Sequence, residues 1–396
     1  MNALLALSIA FAMGLLFSRL IRYIHLPNVT AYLLAGLCVG PYVLNVITTD
    51  MNTSLAFISN VALGFIAYSI GGEFKLSYLK EIGAKPIIIT LFEGCMASLV
   101  VFSALSLLGA AMPLRLALSA IAAATAPAAT LMVIRQYKAD GPVSRMLLPV
   151  VAMDDALGLI LYAVLIALAQ TIERGTALTA YTLVFAPLIE IVGSLGLGVV
   201  LGLVLVYVLR FFHSRGNKLS LTIMMVFAGV GLCDLLGWSS LLCCMMIGAT
   251  MINLCKQSNV MLEQCDRFTP PLFMLFFVLS GAGLDLAVLP TVGIIGVVYV
   301  LARALGKYLG ASIGSTLEKC EPNIRKYLGL TLIPQAGVAI GMARMCLTEL
   351  PEYGAEINAI VLAGTLIYEL TGPVITKIAL TKAGEIKAAP KAAKAA

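Results

Sequence analysis

Long apolar runs recur along the whole chain and constrain its fold more than any other feature. Ile87 to Ala111 is typical, because Glu93 is its only charged residue. A helix needs about 20 such residues to cross a bilayer, whereas a membrane β-barrel shows segments of about ten residues with alternating polarity. Hydrophobic residues make up 61% of the chain and charged residues 12%, about half the charged share of a soluble domain. The chain is therefore predicted to be an all-α polytopic membrane protein, which excludes a soluble enzyme, a nucleic-acid-binding protein and a disordered chain.

Thirteen apolar segments are predicted to cross the membrane. They are 3–19, 28–47, 53–72, 86–110, 114–136, 145–170, 179–209, 219–236, 238–254, 268–283, 287–314, 324–347 and 355–381. The tail that follows, 382–396, is short and rich in Lys and Ala. It is predicted to be solvated on the cytoplasmic side.

Basic residues concentrate in alternate loops. Of the 26 Lys and Arg residues, 21 lie in the loops after segments 1, 3, 5, 7, 9 and 11 or in the C-terminal tail, and only Arg115 and Arg174 lie in loops on the other side. Because basic loops mark the cytoplasmic side, we expect a multi-pass protein of the cell (inner) membrane with its N-terminus outside and its C-terminus in the cytoplasm. Such a topology requires an odd number of spans, as counted.

The two halves of the chain share a pattern. Ser69–Leu76, at the end of segment 3, is similar to Ser280–Leu286, at the end of segment 10 and 211 residues later. Segments 5 and 12 each contain a proline, Pro127 and Pro334, 207 residues apart. Because matching segments are seven spans apart, the two six-helix units must have opposite orientations. Inverted repeats of this kind are typical of secondary transporters, although Gly-rich apolar segments also resemble each other by chance.

The two prolines interrupt their segments near the middle of the membrane. A proline inside a helix lacks a backbone donor and frees a carbonyl group. Within a membrane such groups are tolerated where protein or a wet cavity satisfies them. Matched interruptions in two repeats favour crossed half-helices around a substrate site, and a simple kink is the alternative for each proline alone.

Nine charged residues fall inside the predicted spans, at a cost of roughly 2.5–3.5 kcal/mol each at a helix centre. They are Glu93, Asp154, Asp155, Glu190, Asp234, Glu369, Arg303, Lys307 and Arg344. Glu93 and Glu369 are candidates to line a cavity or to hold the half-helices. Arg344 is a candidate to neutralise a half-helix end or an acid.

The adjacent pair Asp154 and Asp155 is the most informative of these charges. Neighbouring helix positions point about 100° apart, so one carboxylate can meet a cation while the other meets a fixed base. Lys307 is the candidate base, because a stripe of small residues on its helix allows a close crossing; the stripe is Gly306, Gly310 and Gly314. The alternative is a structural ion pair that tolerates burial.

With these residues the chain resembles the second cation:proton antiporter family, and the NapA-type sodium/proton antiporters in particular. The similar stretches are Tyr32–Pro41, Ala124–Pro127, Asp154-Asp155, Gly306-Lys307 and Pro334–Gly337. The resemblance implies that Asp155 carries the ion and the proton in competition, that Asp154 pairs with Lys307, and that Thr125 lies near the ion. Sodium would thus be bound by Asp155, Asp154 and Thr125, and no cofactor is expected.

The resemblance also implies the NhaA/NapA-like fold of a homodimer, in which a six-helix core moves against a scaffold like an elevator. The scaffold and dimerisation helices would be 1–85 and 212–284. The core would be 86–171, with the two aspartates, and 285–381, with Lys307. Residues 172–211 would form the linker helix. The expected partners are monovalent cations, protons and the lipid bilayer, with no nucleic acid.

The chain departs from the family pattern at two places. Gln335-Ala-Gly337 stands where NapA-type proteins often have an Arg and a Glu, and Glu93 is an additional acid. Gln335 is therefore an accessory candidate for the site. The nucleotide-binding domain of the potassium-efflux relatives does not follow the membrane segments, so no nucleotide is expected.

Other functions fit the sequence less well. A potassium/proton antiporter would use the same residues. A sodium:organic-anion symporter of the bile-acid type has a similar inverted repeat but does not need Lys307 beside two aspartates. An intramembrane aspartyl protease needs two aspartates that face each other, which adjacent residues cannot do, and a channel would show a selectivity ring.

Overall fold

The computed structural model describes residues 2–21, 23, 26–72, 74–77, 83–174, 185–212, 214–255, 258–284 and 292–386. Within these ranges the regular secondary structure is helical throughout. Part of the predicted linker (175–184), the start of segment 11 (285–291) and the end of the tail (387–396) lie outside the described residues.

The described residues form helices with the following bounds. They are α1 Ala3–Ile21, α2 Asn28–Val39, α3 Thr49–Ser54, α4 Ala56–Gly71, α5 Lys85–Leu107, α6 Met112–Ala122, α7 Pro127–Tyr137, α8 Pro142–Arg174, α9 Ala186–Val208, α10 Arg215–Leu236, α11 Ser240–Leu254, α12 Ser258–Phe268, α13 Pro270–Ala282, α14 Gly293–Leu317, α15 Pro322–Thr331, α16 Gly337–Glu349 and α17 Gly354–Lys382.

Eight helical stretches of the described chain are long and apolar enough to cross a membrane. They are α1, α5, the pair α6–α7, and α8, α9, α10, α14 and α17. Shorter apolar helices accompany them: α2, α4, α11, α13 and residues 338–347 of α16. The prediction of an all-helical, multi-pass membrane protein is confirmed.

Helix α12 was not predicted from the sequence. Its apolar residues Met261, Leu262, Cys265 and Phe268 repeat at helical spacing, but charged residues separate them. Such a pattern describes an amphipathic helix that covers an apolar surface with one face. A search for long apolar runs does not detect it.

The buried apolar residues form three clusters. The largest unites α1, α2, α4 and the helices from α9 to α13, and it also includes residues of α7, α8 and α17. The other two join α5 and α6 to α8 and to the helices from α14 to α17. The polar site described below lies among the helices of these two smaller clusters.

Glycines allow α14 to pack directly against the backbone of α5. A Cβ atom added at Gly310 would lie 2.5 Å from the Cα of Glu93, and one added at Gly306 would lie 2.6 Å from the Cα of Ala97. Because these atoms belong to the backbone, the helices would have to separate to make room for a methyl group. The predicted small-residue stripe is thus the surface that brings Lys307 to α5.

Gly310→Ala is expected to lower stability by about 1–3 kcal/mol, the usual cost of overpacking. Gly231→Ala is the matched control, because a Cβ at Gly231 on α10 would meet nothing within 4 Å. Removing an exposed helical glycine stabilises by roughly 0.5–1 kcal/mol. Thermal unfolding of the purified variants in detergent measures both. Equal melting temperatures for the two variants would contradict the close packing of α14 on α5.

Polar contacts join several loops at one end of the molecule, which we call the basic face. They connect Arg135 to Asp266, Gln136 to Asn28, Asp140 to Glu385 and Asn323 to Ala383. The loops that are predicted to be cytoplasmic therefore lie together. At the opposite face, Ser239 bonds to Ser194 and Glu352 to Glu173.

Candidate ion-binding site

Two interrupted helices cross at the centre of the site. The chain is non-helical from Ala123 to Ala126, between α6 and α7, and again between α15 and α16. The Ala126 amide donates to the Pro334 carbonyl at 2.9 Å, and the Gln335 side-chain amide donates to the Ile121 carbonyl at 2.9 Å. Pro127 is the first residue of α7, a position where the missing amide hydrogen costs nothing. The two interruptions expected from the prolines are therefore present and in contact with each other.

Helix α14 presents three polar side chains to this crossing. Tyr299, Arg303 and Lys307 are four residues apart and lie on one helix face, and all three are fully buried. The two bases lie close to the ends of α6 and α15. The C-terminus of a helix carries partial negative charge, so a positive charge there is favourable.

Arg303 binds both interruptions at once. Its guanidinium donates to the carbonyls of Ala122 (3.0 Å), Ala124 (2.6 Å) and Ile333 (2.6 Å), and it lies 4.6 Å from the ring centre of Tyr368. The guanidinium of an arginine presents five N–H donors in a rigid planar fork, so one side chain can serve three carbonyls on two segments. Arg303 therefore satisfies carbonyls that the broken helices leave without an amide partner.

Lys307 lies between two carboxylates on different helices. Its ammonium is 2.9 Å from Asp154 Oδ2 on α8 and 2.6 Å from Glu93 Oε2 on α5, and all three side chains have zero exposure. The contact with Asp154 is a hydrogen bond, whereas the contact with Glu93 has ion-pair distance without hydrogen-bond geometry. Lys307 also donates to the Ala123 carbonyl.

Asp155 and Thr125 are buried without such partners. Asp155 is 5% exposed and Thr125 is 2% exposed. Neither Asp155 Oδ1 nor the Thr125 hydroxyl has a hydrogen-bond partner among the described residues, and the same holds for Asp154 Oδ1. Buried polar atoms are normally bonded. These three buried oxygens are therefore free to accept a hydrogen bond or to bind a cation.

The accessory candidates divide into two groups. Gln335 belongs to the crossing, since it also accepts a hydrogen bond from Tyr299 at 3.2 Å. Glu369 on α17 is 3% exposed and its Oε2 atom is unsatisfied, but no hydrogen bond or ion pair joins it to the described residues of the Lys307 cluster. Arg344 is exposed on α16 and makes no hydrogen bond to the described residues of the site.

The role of Arg303 and the ion pair between Glu93 and Lys307 were missed in the sequence. The spacing of Arg303, one helical turn before Lys307, was a usable signal. The contact with Glu93 was not predictable in the same way. The repeat places Glu93 and Lys307 at a similar depth in the membrane, but it does not show in which direction the Glu93 side chain points.

Charge in this cluster is unbalanced by one. By formal charge, with all groups ionised, the carboxylates of Glu93, Asp154 and Asp155 exceed Lys307 and Arg303 by one; Lys307 contacts Glu93 and Asp154, and Arg303 donates to backbone carbonyls. A buried net charge is costly unless it is paired. One monovalent cation or one proton would balance the cluster.

Comparisons with known proteins identify the family of the chain. The family described as "Sodium/hydrogen exchanger, transmembrane" matches residues 6–381. The chain belongs to this family, and it is a cation:proton antiporter rather than an enzyme. A comparison with curated protein sequences gave no match.

Two solved structures have a similar fold. Both are of the sodium proton antiporter MjNhaP1 from Methanocaldococcus jannaschii. The structure at pH 8 has a TM-score of 0.68 and 21% identity over 96% of each chain. The electron-microscopy structure has a TM-score of 0.75 and 18% identity over 97% of this chain and 96% of the other.

Proposed function

We propose that this protein exchanges sodium for protons, with both competing for Asp155. The unpaired carboxylate of Asp155 carries the proposal, because the neighbouring Asp154 is held by Lys307. The excess negative charge of the cluster can be balanced by sodium or by a proton, but not by both at once. Sodium would be bound by Asp155, Asp154 and Thr125, and would displace Lys307 from Asp154. The name of the similar antiporter favours sodium over potassium.

The test is proton movement in proteoliposomes. A pH gradient is imposed across the vesicle membrane, and sodium, lithium, potassium or choline chloride is then added outside. Sodium should dissipate the gradient at micromolar to millimolar concentrations, and choline should not. Dissipation by potassium alone would replace sodium with potassium as the substrate, and dissipation by none of the cations would refute antiport.

The transport scheme proposed here is an elevator with thirteen spans. Its scaffold is 1–85 and 212–284, its core is 86–171 and 285–381, and 172–211 links them. The two smaller apolar clusters consist almost entirely of residues of the proposed core, and the largest is formed mainly by residues of the proposed scaffold; both observations support this division. A homodimer through the scaffold stays a prediction, as does a cell membrane location with the N-terminus outside.

Reciprocal helix contacts support an inverted repeat within this scheme. Glycines set the close contact of α2 with α13 at Gly36 and Gly281, and that of α4 with α11 at Gly71 and Gly248. In the proposed repeat α2 corresponds to α11, and α4 corresponds to α13. Each of these two contacts is then the image of the other.

The double pairing of Lys307 predicts electroneutral exchange. A cation that displaces Lys307 from Asp154 leaves its ammonium beside Glu93, so Lys307 can keep its proton and its charge. One proton would then cross for each sodium ion. A membrane potential, worth about 2.3 kcal/mol per charge per 100 mV, should not change the flux in vesicles clamped with potassium and valinomycin.

Glu93→Gln is the matching variant for that experiment. It removes the second partner of Lys307, so the lysine would lose its proton when a cation displaces it from Asp154. Exchange by this variant is expected to become potential-dependent. Wild-type flux that responds to the imposed potential would contradict one-for-one exchange.

A further inference from the structure

Two neighbouring residues in the last turn of α7 reach from the core segments to the scaffold segments. Arg135 Nη1 lies 2.9 Å from Asp266 Oδ1 on α12. Gln136 Oε1 accepts a hydrogen bond from the Asn28 amide of α2 at 2.7 Å. Both contacts lie at the basic face. Helix α7 also begins two residues after Thr125, so these contacts hold the half-helix that directly follows this residue of the site.

The Gln136 side chain provides a hydrogen-bond acceptor for the first amide of α2, that of Asn28. The first amides of a helix have no partner within the helix, and the residue before α2, Pro27, makes no side-chain capping bond. Gln136 therefore supplies, from the core, an acceptor that α2 would otherwise obtain from water. Separation of α7 from α2 would leave this amide to solvent.

Apolar side chains of the core also pack directly against the scaffold helices. Ala128, Ala129 and Leu131 on α7, with Ala152 on α8, are buried in the cluster of the scaffold helices. Small apolar side chains give this surface little directional bonding. The polar contacts of Arg135 and Gln136 are thus the directional ones at its basic end.

At the opposite face a crevice of about 590 Å³ separates the two groups. It lies between α8 and α16 on one side and α9 with the turn after α10 on the other. Tyr162 and Glu349 line it from the core, and Glu190 and Trp238 line it from the other side. The core is thus bonded to the scaffold at the basic face, and at the opposite face a crevice lies between the core, helix α9 and the turn after α10.

We propose that Arg135 and Gln136, with Asp266 and Asn28, form a latch that closes the basic face. The inference rests on the alternating access proposed above, because opening the basic face would draw α7 away from α2 and α12 and break both bonds. The latch would favour the state that is open at the opposite face. Arg135 and Asp266 are 28% and 50% exposed, and such a pair shifts an equilibrium by up to about fivefold.

The test measures how often the basic face opens. Ala129 is fully buried between α7 and the scaffold, so Ala129→Cys reports opening through its rate of reaction with a water-soluble maleimide, relative to the parent chain. Adding Asp266→Asn should raise that rate two- to fivefold, and Gln136→Ala should raise it further. The double substitution Arg135→Asp and Asp266→Arg exchanges the two charges and keeps the ion pair. It should return the labelling rate toward that of Ala129→Cys alone.

The control is Asp140→Asn, which breaks the ion pair of Asp140 with Arg145. That pair has the same 2.9 Å length but joins two residues of the core, so its loss should leave labelling unchanged. An unchanged rate in Asp266→Asn, an equal rise in the control, or no recovery in the reversed pair would overturn the latch. Labelling does not depend on transport. A vesicle assay that shows no exchange would therefore refute the proposed antiport, but it would not refute the latch.

Discussion

Asp155→Asn is expected to abolish cation-driven proton movement and to leave the protein folded. The amide has nearly the same shape as the carboxylate, but it can neither bind a proton at working pH nor balance a cation. Asp155 forms no ion pair with the described residues, so the substitution leaves none of them with an unpaired charge. The pH gradient in proteoliposomes with this variant should decay as in protein-free vesicles.

Asp154→Asn is the matched comparison for that variant. It removes one partner of Lys307, yet Glu93 stays within 2.6 Å of the ammonium. Exchange should therefore be reduced but present. Melting temperatures in detergent should show that both variants are folded, and wild-type exchange by a folded Asp155→Asn variant would refute the proposed competition.

Arg303→Gln is expected to cause the largest loss of stability, together with loss of exchange. The substitution removes the donors of three buried carbonyls, and each carbonyl left unsatisfied costs roughly 1–3 kcal/mol. The half-helix ends would also lose a positive charge. Thermal unfolding and proteoliposome exchange measure the two effects, and a variant as stable as the wild type would contradict the role of Arg303.

Two further arginine variants sharpen the interpretation. Arg303→Lys keeps the positive charge but loses the planar fork of donors. It should therefore be more stable than Arg303→Gln, but it should not restore all the hydrogen bonds to the three carbonyls. Arg344→Gln is the control, because Arg344 is exposed on α16 and makes no hydrogen bond to the described residues of the site. Its stability and exchange should equal those of the wild type.

Much of the fold was predictable because lipid imposes a simple rule on the chain. Apolar length and a proline at matched places predicted the helices and both interruptions, and the structure has them at Pro127 and Pro334. Helix α12 was not predictable by that rule, since its stability comes from one apolar face against the protein. The helix ends also differ by a few residues, as at α8, where the segment expected over 145–170 extends from Pro142 to Arg174.

The site was predictable where charged residues lie inside membrane spans, because such residues need a partner there. Two adjacent aspartates and a lysine beside a glycine stripe predicted the contact of Asp154 with Lys307, which is present at 2.9 Å. The donors of Arg303 and the second partner of Lys307 depend on the directions of side chains from three helices. Sequence spacing gives the face of one helix, but it does not give the rotation of its neighbours.

The use of carbonyl groups at the crossing has a consequence for hydration. The carbonyls of Ala122, Ala123, Ala124 and Ile333 already face a guanidinium or an ammonium, where a second positive charge would be repelled. The backbone therefore offers a visiting ion few oxygens to replace its water shell. A cation bound at Asp155 would keep several of its own water molecules, and it would move through this protein only partly dehydrated.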